Sequence, residues 1–210
     1  MKIEYLGHSC FRISVKNGMK IVTDPYTGVG YELPKNLSAD AVTVSHNHFD
    51  HAFLAGVQGA KYFIKEAKEY YLDNIYFKGI ETFHDEKKGA LRGKNVVYVI
   101  ETEGIRLCHM GDIGEPCSLE LVKKIGKIDV LFLPVGGTYT IDAKEAIRYQ
   151  QALSPSIVIP MHYKGKNGSL DIDTADEFLS AYPNVKKVEK NYEVCVCGQK
   201  ETQIIYMERV

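Results

Sequence analysis

The sequence predicts an α/β (α+β) fold in which helices pack outside two stacked sheets. Many short apolar runs of strand length are mixed with helical segments in both halves of the chain. A sheet with one apolar face must bury that face, and a mixture of this kind buries it between two sheets and under helices. At 210 residues the chain is long enough for a substantial core, and residues 1–210 are read as a single domain. No linker and no internal repeat stands out.

Taken in order, residues 2–6 read as the first strand. Residues 11–15 and 19–23 form a hairpin about Asn17-Gly18, a dipeptide that accepts the positive φ of a tight turn. Asp24-Pro25 ends it, and 26–40 are loop, with Gly28, Gly30 and Pro34 as breakers. Residues 41–45 are a buried strand, followed by a short helix over about 51–57. Residues 60–64 read as strand, 65–74 as helix, and 80–85 as strand. Next come a hairpin of 96–101 and 105–109 turned at Glu103-Gly104, a helix over 118–125 and a buried strand over 130–134. Asp142 caps a helix that runs to about Leu153, with Glu145 in capping-box position. A strand over 157–160, a helix over 174–181 and a closing hairpin of 192–197 with 203–207 complete the chain.

Composition is that of a soluble globular protein, 45% hydrophobic and 25% charged. A net charge of −1 supplies no general pull toward nucleic acid or acidic membranes. There is no apolar run of transmembrane length and no signal-peptide layout at the N-terminus. The odd count of five cysteines reads as reduced thiols in a cytoplasmic protein. Cys195 and Cys197 form a Cys-x-Cys pair, read as packing residues on one face of a strand rather than a soft metal site.

The chemistry is concentrated in His46-Asn47-His48-Phe49-Asp50-His51, directly after the strand 41–45. Four of these six residues are strong divalent-metal ligands, since neutral imidazole and carboxylate bind zinc and similar ions. His46 and His48 are two apart, so extended backbone aims them to the same side. Asp50 and His51 lie past the bend and can approach from another direction. Other ligand types close other strands: His84 after 80–83, His109 and Asp112 after 105–108, and His162 after 157–161. Ligands on several strand ends can converge at one rim of a sheet. Two metal ions need about this many protein ligands if positions stay open for water and substrate.

This set, with Tyr5-Leu6-Gly7-His8-Ser9-Cys10-Phe11, Thr23-Asp24-Pro25, Gly111-Asp112, Leu133-Pro134-Val135-Gly136-Gly137 and Ile159-Pro160-Met161-His162-Tyr163, resembles the metallo-β-lactamase superfamily. Within it, the chain resembles the branch of small metal-dependent hydrolases related to ascorbate-6-phosphate lactonases. The resemblance covers nearly the whole chain. It implies a four-layer αββα sandwich, two mixed sheets flanked by helices, with the site at one edge. It implies a first metal site from His46, His48 and His84, a second from Asp50, His51 and His162, and Asp112 bridging both ions. True β-lactamases commonly carry a cysteine or another non-bridging residue where Asp112 stands. The di-iron oxygen-chemistry branch usually has glutamate where His48 stands. The chain therefore resembles a hydrolase of the bridged dinuclear type.

Two ions about 3.5–4 Å apart can hold a hydroxide at neutral pH and polarise the bond it attacks. Asp50 would be a ligand and could orient that hydroxide. Zinc is the expected metal, with manganese and then iron as alternatives. Asp24 is a candidate acceptor behind a ligand imidazole, or a turn residue before Pro25. His8 could reach the site rim as proton donor or substrate contact, or be a hydrogen-bonded structural histidine. His109 reads more as support for Asp112 than as a reacting group. Gly136-Gly137-Thr138 could present N–H groups to an oxyanion or be a turn. Tyr163 and Lys164 could touch an anionic substrate.

The function expected is hydrolysis of a small-molecule ester, phosphoester, lactone or thioester. A phosphodiesterase or nuclease acting on nucleic acid uses the same kind of site, but neutral charge counts against it, because phosphate-backbone binding leans on Lys and Arg. A non-catalytic metal-binding sensor is the third reading, disfavoured by the intact ligand cluster. The sequence is silent on oligomeric state.

Overall fold

The computed structural model describes residues 1–196 and 201–210. Two sheets face each other. The first contains β1 (Lys2–Gly7), β2 (Cys10–Ser14), β3 (Lys20–Thr23), β4 (Ala41–Thr43), β5 (Tyr62–Ile64) and β13 (Tyr192–Glu193), in the order β13-β1-β2-β3-β4-β5. The second contains β6 (Glu69–Leu72), β7 (Ile75–Phe83), β8 (Lys94–Thr102), β9 (Ile105–His109), β10 (Val130–Pro134), β11 (Ile157–Met161), β12 (Val185–Val188) and β14 (Gln203–Met207). Its order is β12-β14-β11-β10-β9-β8-β7-β6. Both are mixed. Antiparallel hairpins β1–β2–β3 and β7–β8–β9 continue into the parallel runs β3–β4–β5 and β9–β10–β11–β14.

The core lies between the sheets. Phe11 of β2 and Phe132 of β10 meet with ring centroids 4.4 Å apart, and neither is exposed. Truncating such a ring to alanine costs about 3–5 kcal/mol in lost burial and a cavity that does not collapse. Tyr98 of β8 carries a polar tip into this core, and its hydroxyl lies 3.2 Å from the carbonyls of Val44 and Ile64. That contact ties the second sheet to the first beside the ligand loop.

Helices cover the outer face of the second sheet. α1 (Leu119–Ile125), α2 (Ala143–Leu153) and α3 (Asp176–Ser180) pack with α2 in the middle, touching the other two helices and β10. β10 and β11 are buried along their whole length, as strands covered on both faces are. Ser118 caps α1, and Asp142 accepts the Glu145 N–H at 2.8 Å to cap α2. Only half of the capping box forms, because Glu145 turns instead to the Cys117 N–H and to Arg148. The outer face of the first sheet is covered mainly by connecting chain. Leu6, Val22, Val42 and Val44 pack there against Tyr26, Val29, Leu37 and Val57, and among the described residues the one helical turn in that layer is a 3₁₀ turn, Leu54–Gly56.

Three expected elements differ. The helix over 51–57 is that single 3₁₀ turn, because the Phe53 N–H is drawn to the Pro25 carbonyl at 2.7 Å. The helix over 65–74 is the edge strand β6. Its Tyr70-Tyr71-Leu72 run pairs with β7, and the Tyr71 and Tyr76 rings meet at a tilt with centroids 4.9 Å apart. Strand pairing here overrides the helix propensity of the preceding lysines and glutamates. The closing hairpin does not form, since Tyr192–Glu193 joins β1 in the first sheet while β14 joins β11 and β12 in the second. Cys197, the end of that expected strand, lies outside the described residues. β12 was not anticipated; it pairs in parallel with β14.

Candidate metal centre

The ligand types stand where strands leave the sheets at one edge. His8 follows β1, Asp24 follows β3, the His46–His51 loop follows β4, His84 follows β7, Asp112 follows β9 and His162 follows β11. Three of these residues sit in left-handed backbone: His8 at φ 54°, Asp24 at φ 39° and His162 at φ 51°. Side-chain-bearing residues adopt this region at a cost, and such strain gathers at functional sites.

The side chains converge on one carboxylate. Asp112 Oδ2 lies 3.0 Å from His51 Nε2, 3.1 Å from His162 Nε2, 3.4 Å from His84 Nε2 and 3.8 Å from His46 Nε2. Ligand atoms fall into three overlapping groups: His46, His48 and His84; His46, His51 and Asp112; and His8, Asp50, His51 and His162. Within each group they lie within 4.8 Å of one another. No cysteine enters such a group among the described residues. His46 Nε2 and Asp112 Oδ1 are buried without a hydrogen-bond partner. A bare imidazole nitrogen and a bare carboxylate oxygen buried side by side cost several kcal/mol together unless something positive satisfies both. The donor set therefore fits divalent cations.

Buried polar partners behind two of these histidines, His51 and His46, set their orientation. Asp24, fully buried, accepts from His51 Nδ1 at 2.9 Å, which turns His51 Nε2 toward Asp112. The same carboxylate accepts the Ser45 N–H at 2.8 Å and the Ser45 hydroxyl at 2.5 Å. The serine hydroxyl has one proton and gives it to Asp24, so it accepts from His46 Nδ1–H at 2.9 Å and aims His46 Nε2 inward. Asn95 Oδ1 accepts the Asp112 N–H at 2.9 Å, while its amide nitrogen donates to the Met110 carbonyl and to Thr82 Oγ1. Gly111, at φ 56°, permits the turn between them; a Cβ there would collide with Asn95 and Ser45.

The fields follow from this packing. Burial would raise the Asp112 carboxyl, but His162 and His51 outweigh it and hold it well below the carboxylate range. Burial would lower His51, yet Asp112 and Asp24 raise it well above the usual histidine value. Burial and the neighbouring His162 push His8 down to about 4, so it is neutral at pH 7.

Several expectations change at this point. His8 is not a rim residue. It is buried behind the second ligand group, its Nε2 3.1 Å from His51 Nε2 and 3.2 Å from Asp50 Oδ2, close enough to hold an ion with them. Gly136 and Gly137 are buried, and the Gly136 N–H is committed to the His162 carbonyl at 3.1 Å, so this loop supports a ligand rather than offering that N–H to an oxyanion. Tyr163 is also buried. Its hydroxyl turns toward the Met207 carbonyl at 3.4 Å, away from the ligand cluster, because Tyr5 and Tyr206 pack around its ring. His109 is structural, its Nε2 at 2.8 Å from the Ser9 carbonyl and its Nδ1 accepting the Gly111 N–H at 3.2 Å. Ser45, Asn95 and Arg92 were not singled out from the sequence. Serine and asparagine next to ligands are common in loops, and only the fold shows which are buried against them.

The residues 2–162 match the beta-lactamase superfamily domain. The chain is 30% identical over 191 residues to a UPF0173 metal-dependent hydrolase of Thermococcus onnurineus, covering 78% of this chain and 84% of the relative. It is 28% identical over 229 residues to one from Thermoplasma volcanium, covering 92% and 99%. A crystal structure from Thermotoga maritima, assigned provisionally as a Zn-dependent hydrolase of the metallo-beta-lactamase superfamily, superposes with a TM-score of 0.81 at 38% identity, covering 99% of this chain and 98% of the other. The chain belongs to the metallo-β-lactamase superfamily. Within it, the chain sides with the metal-dependent hydrolases.

Proposed function

We propose that the chain hydrolyses a small-molecule ester, phosphoester, lactone or thioester, using two divalent cations held by these residues. The observation that carries the reading is the placement of four imidazole nitrogens about one buried carboxylate oxygen, with ligand groups on either side of it. His46, His48 and His84 would hold one ion. Asp50, His51 and His162, joined by His8, would hold the other, and Asp112 would reach both. Bound there, divalent ions supply Lewis-acid activation of a water and of the bond it attacks. Zinc is the first choice, since the set is imidazole-rich and free of thiolate, with manganese or iron as alternatives.

The protein's own contribution is positioning. Asp24 and Ser45 orient His51 and His46. Asp50 lines the cleft at the ligands and would orient the attacking water. Arg92 is the sole Lys or Arg lining that cleft among the described residues, which suits a small molecule better than a nucleic-acid backbone. No helix among the described residues is long and apolar enough to cross a membrane.

The test is reconstitution with zinc, manganese or iron, followed by elemental analysis and a panel of phosphodiester, lactone, thioester and RNA substrates. Two ions per chain and turnover of a small ester are expected. One ion or none at saturating metal would sink the dinuclear reading, and RNA as the sole substrate would sink the small-molecule one.

A further inference from the structure

A cleft of about 620 Å³ opens directly onto Asp50, His84, Asp112 and His162. Its far side has two features that metal binding does not explain. The first is an apolar wall. Phe49 is 59% exposed and Tyr139 38% exposed, with half-buried Leu170 beside them. Large apolar side chains left open at the mouth of a reactive site are characteristic of ligand pockets. Phe49 sits within the ligand hexapeptide itself, and its ring rests on Gly28, where a Cβ would press on it.

The second feature is a fixed cation. Arg92 ends a loop organised by Asp85, the residue after the ligand His84. Asp85 Oδ1 accepts N–H groups from Lys87 at 2.8 Å and Gly89 at 3.0 Å, and Oδ2 accepts from Leu91 at 3.0 Å and Arg92 at 2.8 Å. One buried carboxylate thus locks the loop that carries both a metal ligand and the guanidinium. Arg92 donates to the Thr138 carbonyl at 3.2 Å, and its Cζ lies 5.6 Å from the Tyr139 ring centroid. It forms no ion pair with a carboxylate among the described residues. A guanidinium has five N–H donors in a planar fork, so donors remain for a carboxylate, phosphate or sulfonate. Asp85 holds the Arg92 backbone, and Thr138 with the Tyr139 ring holds its guanidinium, which lowers the cost of ordering the charge when an anion binds.

We propose that the cleft is built for a small organic anion, with its charged group at Arg92, its apolar body on Phe49 and Tyr139, and its scissile bond over the metal ligands. The inference rests on the hydrolase reading of the same site and specifies its substrate class. It makes Arg92 a specificity residue.

The test compares two esters of equal leaving group on metal-loaded protein: neutral 4-nitrophenyl butyrate and 4-nitrophenyl hemiglutarate, which ends in a carboxylate. Each takes up one water and yields 4-nitrophenol and an acid. Wild type should favour the anionic ester in kcat/KM. Arg92→Ala should reduce the anionic-to-neutral ratio roughly ten- to hundredfold, chiefly through KM, the size of one lost charge-assisted contact. Arg92→Lys should restore part of it, and added salt should erode the preference in wild type. Arg92→Gln replaces the alanine variant if thermal unfolding shows that alanine disturbs the fold. Both esters hydrolysed with the ratio unchanged in Arg92→Ala would overturn the inference and leave the hydrolase reading intact. If neither ester reacts, calorimetric binding of benzenesulfonate decides. Weaker binding to Arg92→Ala than to wild type supports the anion site, and equal or absent binding in both rejects it.

Discussion

Asp24 Oδ2 stands 2.9 Å from His51 Nδ1, and neither side chain is exposed to solvent. The carboxylate comes from the end of β3 and the imidazole from the loop after β4. These neighbouring parallel strands bring together residues 27 positions apart. The contact fixes which nitrogen of His51 faces Asp112, and the predictions below begin from it.

Asp24→Asn should weaken divalent-metal affinity about 10–100-fold, because the amide cannot hold the Nδ1 proton and the Ser45 donors as the carboxylate does. Competition with a chromophoric chelator measures this. Unchanged affinity would show that His51 keeps its orientation without Asp24.

If the proposed two-ion centre holds, Asp112→Ala should lose at least one ion and most activity, since among the described residues no other carboxylate reaches the four surrounding imidazoles as closely. Elemental analysis after reconstitution reads the stoichiometry. Two ions retained in the variant would remove Asp112 from the bridging position.

Ser45→Ala removes the proton given to Asp24 and the acceptor that holds His46. A loss of roughly tenfold in affinity is expected, smaller than for Asp24→Asn because no charge is removed. Chelator titration of the two variants side by side would contradict this ordering if Ser45→Ala proved the more damaging.

Gly111→Ala should destabilise the fold by about 1–3 kcal/mol through overpacking against Asn95 and Ser45 at a positive φ. Urea unfolding of the metal-free protein separates this from any loss of metal.

Asp85 links stability to acid. Burial would raise its carboxyl, but the four backbone N–H donors outweigh burial and hold it below the ordinary range. A group depressed on folding stabilises above its unfolded value, about 3.9, and loses that contribution as pH falls through the folded value. Asp85→Asn should therefore unfold at lower urea than wild type at pH 7, with the gap closing as pH falls below about 4. A gap that persists at low pH would show that the loop depends on hydrogen bonding alone and not on the charge.

Much of the candidate centre was legible before folding. His46, His48, Asp50 and His51 are close in sequence, and a candidate metal loop shows itself through residue types that have few other reasons to cluster. His84, Asp112 and His162 were legible because each closes an apolar strand, and parallel neighbours end at the same edge. The hairpin turn at Glu103-Gly104 was also local, with φ of 55° and 72° at its two central residues. β6 was not legible. The lysines and glutamates just before it favour a helix in isolation, and only pairing with β7 makes Glu69–Leu72 a strand. His8 stayed open between the rim and a buried hydrogen-bonded position, since nothing in Gly7-His8-Ser9 shows which way a residue at φ 54° will turn.

The sequence by itself determined the cluster of imidazole and carboxylate residues, the strands that end in it and the family resemblance, because these reside in residue identity and short-range spacing. The tertiary structure decided which polar side chains stand behind the ligands, where Tyr163 and His8 point, and that Arg92 faces the cleft on a loop locked by Asp85. Those relations join residues tens of positions apart across two sheets. Burial, which decides whether a polar group must find a partner, is a property of the packed molecule and not of any segment in it.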